Sequence, residues 1–490
     1  SLSAYCRVFM QNCFFFPGFG KFHYLLLTIC GLIYANTAIG ITIISFVLPS
    51  AQCDFRMTSE NKGILTATPM LGMVIGSYFW GCLADTKGRK VVLIATLFLD
   101  PRPLSSFLII KKYFIFIFSA AGAMGICFPY LGEFQPTKHR EKILCWMEMF
   151  WTLGIIVLPL IAWGIIPIDK MRYESDYFIF DSWNLFVAIC AIPSLLLGIW
   201  LFDFPESPKF MMECGDYDDA LVVLKDIYHT NTGDQYKSVR SLSVHKPKDL
   251  RRLISEIWNQ TKALCKPPHR KYTILTCLIQ FGVTTSYYTL MVWFPELFNR
   301  FEEAEHPGWS AVIQDHCGDS IKRSVYENTL IIGLACVPTS LILPLCVHRV
   351  GAKFFLITSL VIAAAVTIGL YFVRNSFQNL ILSCVFEALT SLSVKSLHVA
   401  VEFFPPVNRE QPRLENRSCR LAHKTFIVNC VCCGFPRREN RSFVLGFWVF
   451  KAFQYWMLSN LCNLFLKQIL KKLALLASTS RYNDKDLLHT

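Results

Sequence analysis

Apolar residues in this chain fall into long blocks, not into the short alternating or amphipathic stretches of a soluble fold. A helix needs about 20 mainly apolar residues to cross the bilayer core. Windows of that kind recur at 23–49, 63–84, 91–110, 113–132, 143–167, 183–203, 272–298, 328–347, 354–373, 379–401 and 442–466. The pattern predicts eleven membrane-spanning helices, hence an all-α polytopic membrane protein. The third and fourth windows are the poorest, because Asp100-Pro101-Arg102-Pro103 and Lys111-Lys112 interrupt them. Between the sixth and seventh windows, 204–271 carries 12 Lys/Arg and 9 Asp/Glu. This polar segment divides the chain into an N-terminal membrane half at 1–203, a cytosolic linker at 204–271, a C-terminal half at 272–409 and an atypical tail with one span at 410–490. Inside the linker, Met211 to Tyr228 predicts one amphipathic helix with Ala220, Leu221, Leu224 and Ile227 on its apolar side.

A repeat supports the division into halves. Glu133-Phe134-x-Pro136-x-x-x-Arg140 recurs about 270 residues on as Glu402-Phe403-x-Pro405-x-x-x-Arg409, each copy directly after an apolar window. The stretch from Lys90 to Glu133 is about six residues shorter than its counterpart from Lys353 to Glu402, which points to residues lost or replaced near 101–118.

Composition agrees with the windows. The 490 residues are 53% hydrophobic and 17% charged, with a mean hydropathy of +0.40, too apolar for a soluble domain of this size. A net charge of +13 raises the question of nucleic acid. Lys and Arg instead cluster beside helix ends, at Lys87/Arg89/Lys90, Lys138/Arg140/Lys142, Arg349/Lys353 and Arg409/Arg413/Arg417, as the positive-inside rule places them. The charge is therefore topological and places those loops and the N-terminus in the cytosol. The segment from Arg300 to Glu327, with six acids against three bases, faces the other side. No cleavable signal peptide is expected, because the first apolar window is too long for one. Most of the 20 cysteines stand singly in apolar windows, where Cys acts as a small hydrophobe. Only Cys430-Val431-Cys432-Cys433 is dense, and it lacks companions at zinc spacing. No metal or cofactor is implied.

The most specific motif is Gly81-Cys82-Leu83-Ala84-Asp85-Thr86-Lys87-Gly88-Arg89-Lys90, between the second and third windows. Gly88 permits a tight turn, Asp85 can accept from helix N-termini or pair with Arg, and Arg89 and Lys90 hold the loop in the cytosol. A degenerate copy follows in the second half, with Gly351 and Lys353 kept and His348 and Ala352 where Asp85 and Arg89 would stand. After the sixth window comes Pro205-Glu206-Ser207-Pro208-Lys209.

The Gly81–Lys90 phrase resembles the signature loop of the major facilitator superfamily, and Pro205–Lys209 resembles a motif of its sugar-porter branch. With Lys21-Phe22-His23-Tyr24, Tyr34-x-Asn36-Thr37-Ala38-Ile39-Gly40 and Gly132 to Arg140, the chain is most similar to the synaptic vesicle glycoprotein 2 group and its invertebrate relatives, over about 18–100 and 119–409. The resemblance implies a fold of two six-helix halves. It also implies a cytosolic gate network of Asp85, Gly88, Arg89, Glu133, Arg140, Glu206, Glu402 and Arg409 that holds one access state together. The family's final two helices are not recognisable after Arg409, so a shortened second half, inactive for transport, is one expectation.

Polar residues inside apolar windows are candidates for a substrate cavity, since a charge in lipid is expensive without a partner or a water-filled space. Glu387 and Lys395 are the clearest; eight residues apart on one helix, they differ by about 80° in direction and can share a cavity without touching. Asn36, Glu148, Trp163, Gln280 and Tyr288 add hydrogen bonds or ring faces. Packing between helices is the competing explanation for each, and Lys395 can also snorkel to an interface.

The pattern as a whole predicts a secondary transporter of a small organic solute, with or without a coupled proton, in a vesicle or plasma membrane. The alternative is a non-transporting regulator or scaffold that meets cytosolic partners through 204–271. The sequence holds no P-loop, His-Glu-x-x-His or Gly-x-Ser-x-Gly phrase, which argues against an ATP-driven pump or an enzyme.

Overall fold

The computed structural model describes residues 19–50, most of 72–99, 109–168, 173–175, 178–234, 322–371 and 376–402, with single positions between 279 and 298. All of them belong to the first of two compact units, Ser1–Phe435 and Pro436–Thr490.

The first span is α1, Lys21–Thr42, which turns at Ile43 into α2, Ile44–Ser50. It is buried on nearly every side, as expected of an apolar helix enclosed by other helices. Thr37 and Thr42 return their hydroxyls to the carbonyls of Ile33 and Ala38, so no polar group faces the packing without a partner. Next come α3, described as continuous helix over 79–87, α4 at Arg89–Phe98 and α5 at Ile109–Phe134. Of the third predicted span, 91–110, α4 covers the part to Phe98 and turns at Leu99; 100–108 lie outside the described residues.

Helix α6, Thr137–Ile165, is the hub of the fold. Against α1 it packs through glycines. The Phe150 ring lies where a side chain on Gly31 would be, and the Ala35 carbonyl and Ala38 lie where one on Gly154 would be. A hairpin of β1, Tyr173–Ser175, and β2, Phe178–Phe180, pairs Tyr173 with Phe180 and leads into α7, Ser182–Trp200, capped by Asp181 through the Ser182 N–H at 2.7 Å.

In the linker, the single helix expected over 211–228 is two: α8, Pro208–Cys214, and α9, Tyr217–Thr232. Gly215 breaks it. At φ 94° it adopts the left-handed conformation that ends α8, with its own N–H on Met212 and that of Asp216 on Met211, at 3.3 and 3.0 Å. Ala220, Leu221, Leu224 and Ile227 are buried along α9, as their spacing predicts. Near the end of α9, Asn231 accepts the backbone N–H of Phe22 at 3.0 Å, joining the linker to the first turn of α1.

The second half is described as helical positions between 279 and 298, α10 at Arg323–Val350, α11 at Ala352–Tyr371 and α12 at Ser376–Glu402. A side chain on Gly333 of α10 would press on Ile156 of α6, so the two halves pack closely there. Five helical segments among the described residues are long and apolar enough to cross a membrane: Lys21–Ser50, Lys142–Ile165, Ser182–Asp203, Arg323–Val347 and Phe377–Leu397.

The α1–α6 contact leaves no room for a side chain at Gly154, while at Gly164 nothing lies within 4 Å. Gly154→Val is expected to cost about 1–3 kcal/mol through overpacking, read as a lower thermal unfolding midpoint in detergent. Gly164→Ala is expected to leave the midpoint unchanged, and equal effects of the two would contradict this packing.

Candidate functional site

The described polar side chains gather at two levels. One cluster is built on the turn between α3 and α4. Gly88 stands there at φ 107°, and a side chain on it would run into the Glu206 carboxylate. That carboxylate caps α4: its oxygens accept the backbone N–H groups of Arg89 at 3.0 Å and Lys90 at 3.1 Å, and the N–H of Ser207 at 2.9 Å. Buried Arg89 donates to Asp85 at 3.0 Å and to the Ala84 carbonyl at 3.2 Å, meets Glu133 at 3.4 Å, and lies over the Phe210 ring at 4.9 Å. Ser207 donates to Glu133 and caps α8. Tyr130 donates to the Pro205 carbonyl at 2.6 Å, and Lys90 to the Phe202 carbonyl at 2.9 Å. Five sequence-predicted gate residues, Asp85, Gly88, Arg89, Glu133 and Glu206, thus form one connected cluster. The sixth, Arg140, donates to the Gly132 carbonyl at 2.8 Å from the opening turn of α6. Glu402 ends α12, its side chain outside the described set, and Arg409 lies outside the described residues.

The second cluster lies within the membrane helices, where α6 meets α10 and α12. Glu148, Trp151 and Thr152 are spaced i, i+3, i+4 on α6 and so share one face. Glu148 accepts from the Tyr34 hydroxyl at 3.3 Å. Trp151 donates to the Tyr287 hydroxyl at 2.9 Å and has rings on two sides, Tyr34 at 5.0 Å and Tyr288 at 6.2 Å. From α12, Lys395 donates to Thr152 at 2.7 Å and to Ser340 of α10, whose two hydroxyls are 2.7 Å apart. Lys395 is only 2% exposed, so its charge stays inside the protein and does not snorkel. Glu387, also 2% exposed, makes no ion pair with Lys395 among the described residues, as expected for two residues eight apart. This cluster joins N-terminal half to C-terminal half.

Three of the predicted cavity residues on α6 and α12, Glu148, Glu387 and Lys395, meet here together with Tyr288. Asn36 does not; its amide donates to Ser194 of α7 at 2.7 Å, within the N-terminal half. Trp163 lies near the far end of α6, where the Arg323 guanidinium at the start of α10 covers its ring at 5.1 Å. Three residues after Arg323, Tyr326 stacks on Phe46 of α2 at 5.7 Å, so the halves also meet there. Gln280 lies outside the described residues. Sequence inspection missed Thr152, Ser340, Trp151, Tyr34 and Tyr287. The i, i+3, i+4 spacing of Glu148, Trp151 and Thr152 was the one signal available for two of them.

A family model described as Major Facilitator Superfamily matches residues 30–406. The chain belongs to the major facilitator superfamily. It is 30% identical over 323 residues to synaptic vesicle glycoprotein 2B of Homo sapiens, covering 59% of this chain and 47% of that protein. To synaptic vesicle glycoprotein 2A of Rattus norvegicus it is 29% identical over 347 residues, covering 64% and 46%. The chain thus spans about half the length of the curated relatives it matches. Among solved structures, the xylose transporter XylE from E. coli in a partially occluded inward-open conformation superposes with a TM-score of 0.63 at 15% identity, covering 89% of this chain and 96% of that one. The fold is that of a major facilitator, and the protein is a multi-pass membrane protein.

Arg89 is buried between the Asp85 and Glu133 carboxylates, so its removal takes the cationic partner from both. Arg89→Ala is expected to destabilise by about 3–5 kcal/mol. Glu327→Ala, on the exposed Arg323 pair, should change stability by no more than about 1 kcal/mol. Gly88→Ala should follow Arg89→Ala, because it both strains the turn and displaces Glu206. Thermal unfolding of the purified variants measures all three, and an Arg89→Ala midpoint equal to that of Glu327→Ala would contradict the network.

Proposed function

We propose that this protein is a secondary transporter that moves a small organic solute by alternating access, with the Glu148–Trp151–Thr152–Ser340–Lys395 cluster as its solute site and the Arg89 cluster as its cytosolic gate. The observation that carries the proposal is a buried, charged and aromatic cluster formed jointly by α6 of the first half and α10 and α12 of the second. Buried charge is costly in a membrane and is kept mainly where it acts on a solute or ion. In a protein of two repeated halves, the junction of the halves near mid-membrane is where rocking exposes a site to each side in turn. Solute selectivity follows from the groups present: hydroxyls and an ammonium to meet polar atoms, and the Trp151, Tyr287 and Tyr288 rings to cover an apolar or sugar-like face.

At the cytosolic end, Arg89 bridges the α3–α4 turn to the end of α5, and Glu206 ties the same turn to the start of the linker. Such a set, intact in one state and broken in the other, biases a two-state equilibrium by its differential energy. Solved neighbours that include a proton:xylose symporter support a small solute with a coupled proton. Relatives named for synaptic vesicles support a vesicle or plasma membrane location.

Reconstitution of the full chain into liposomes, with labelled sugars, amino acids, organic cations and organic anions offered with and without a pH gradient, tests the proposal. Saturable flux is expected for one class, reduced about tenfold or more by Lys395→Met in protein that elutes and melts as wild type. Absence of flux for every class would overturn transport and favour the non-transporting regulator.

A further inference from the structure

Helix α12 carries two polar groups that the solute cluster leaves unused. Glu387 and Ser391, eight and four residues before Lys395, are one turn apart on the same face and are 2% and 1% exposed. Neither Glu387 oxygen and not the Ser391 hydroxyl has a hydrogen-bond partner among the described residues. The neighbouring polar groups do: Lys395 is held by Thr152 and Ser340, Glu148 by Tyr34, Trp151 by Tyr287. An unpaired carboxyl costs several kcal/mol at such a depth, so an unmet acceptor here points to a ligand that supplies donors.

We infer that Glu387 and Ser391 anchor the ammonium group of an amine-bearing solute; this rests on the proposed solute site and names its substrate class. An alkylammonium has three donors and no acceptor, the complement of a carboxylate and a hydroxyl left without donors. Glu387 lies within electrostatic reach of the Tyr287 hydroxyl, whose ring abuts Tyr288 at 5.2 Å and whose oxygen takes the Trp151 N–H. These rings offer the π-faces that attract a desolvated cation. A metal ion fits less well: no group of three or more His, Cys, Asp and Glu with metal-binding geometry occurs among the described residues. The Lys395 ammonium, two turns along α12, is occupied by two hydroxyls and lies within electrostatic reach of Glu148 and Glu387 alike, meeting Glu387 through space without a hydrogen bond.

Three probes of one shape and different charge test the assignment on the purified full chain in nanodiscs: 2-phenylethylamine, 2-phenylethanol and 3-phenylpropionate, with binding read from saturable tryptophan quenching and confirmed by equilibrium dialysis. The amine is expected to bind about tenfold or more tighter than either analogue, from one charge-assisted hydrogen bond and ring contacts. Glu387→Gln is expected to abolish that preference. It removes an unpaired carboxyl and so should fold with an unfolding midpoint at or above that of wild type; should it fail to fold, the wild-type selectivity among the three probes still decides. The alcohol or the acid binding as tightly as the amine, or Glu387→Gln keeping the preference, would overturn the amine assignment while leaving solute binding intact. No binding of any probe, with flux of some other solute in liposomes, would overturn the amine alone. No binding and no flux would overturn both the amine and the transporter.

Discussion

Lipid offers no hydrogen-bond partner, and this one constraint explains where the polar residues of the chain are found. Every charge brought into the helices must meet another polar group there. Arg89 therefore sits between Asp85 and Glu133, and Lys395 between Thr152 and Ser340. The same constraint explains why hydroxyls on α1 and α12 turn back onto carbonyls one turn earlier. It also makes Glu387 and Ser391 conspicuous, since a carboxyl and a hydroxyl without donors belong in a place that something else completes.

Helix α6 connects the two clusters. Its first turn follows the Glu133–Pro136 phrase, and Arg140 on that turn returns to the Gly132 carbonyl. About eight residues further along, roughly 12 Å on a straight helix, the same helix presents Glu148, Trp151 and Thr152 to the second half. Glycines on α1, α6 and α10 bring these helices within backbone reach, as at Gly154 and Gly333. Close, small-residue contacts of this kind allow one half to move against the other without opening large voids.

Much of the fold was legible because membrane helices announce themselves by length and apolarity. The windows at 143–167, 183–203, 328–347 and 379–401 match α6, α7, α10 and α12 to within a few residues at most ends. Gly88 and Glu206 were legible as motif residues. Their shared cause, a carboxylate filling the space a side chain on Gly88 would need, was not, because it joins residues more than 100 positions apart. Likewise Thr152 and Ser340 are unremarkable in sequence, as hydroxyls are common in spanning helices, and they form a cluster only through Lys395, which lies 243 residues from Thr152 and 55 from Ser340. Trp163 and Asn36 illustrate the converse. A polar or aromatic residue in an apolar window is a candidate by type, and three-dimensional placement gave one to a cation on α10 and the other to α7. The linker helix was broken by Gly215, whose left-handed conformation outweighed an apolar period that ran through it.

The central claim is that the two halves move against each other about the α6–α10–α12 junction. It is tested most directly by the distance between spin labels carried on non-natural residues at exposed Lys142 of α6 and Val350 of α10, measured by pulsed electron resonance in nanodiscs. The account predicts two distance populations, with Arg89→Ala, which breaks the Arg89 cluster, shifting the ratio between them. A single distance unchanged by that substitution would contradict it.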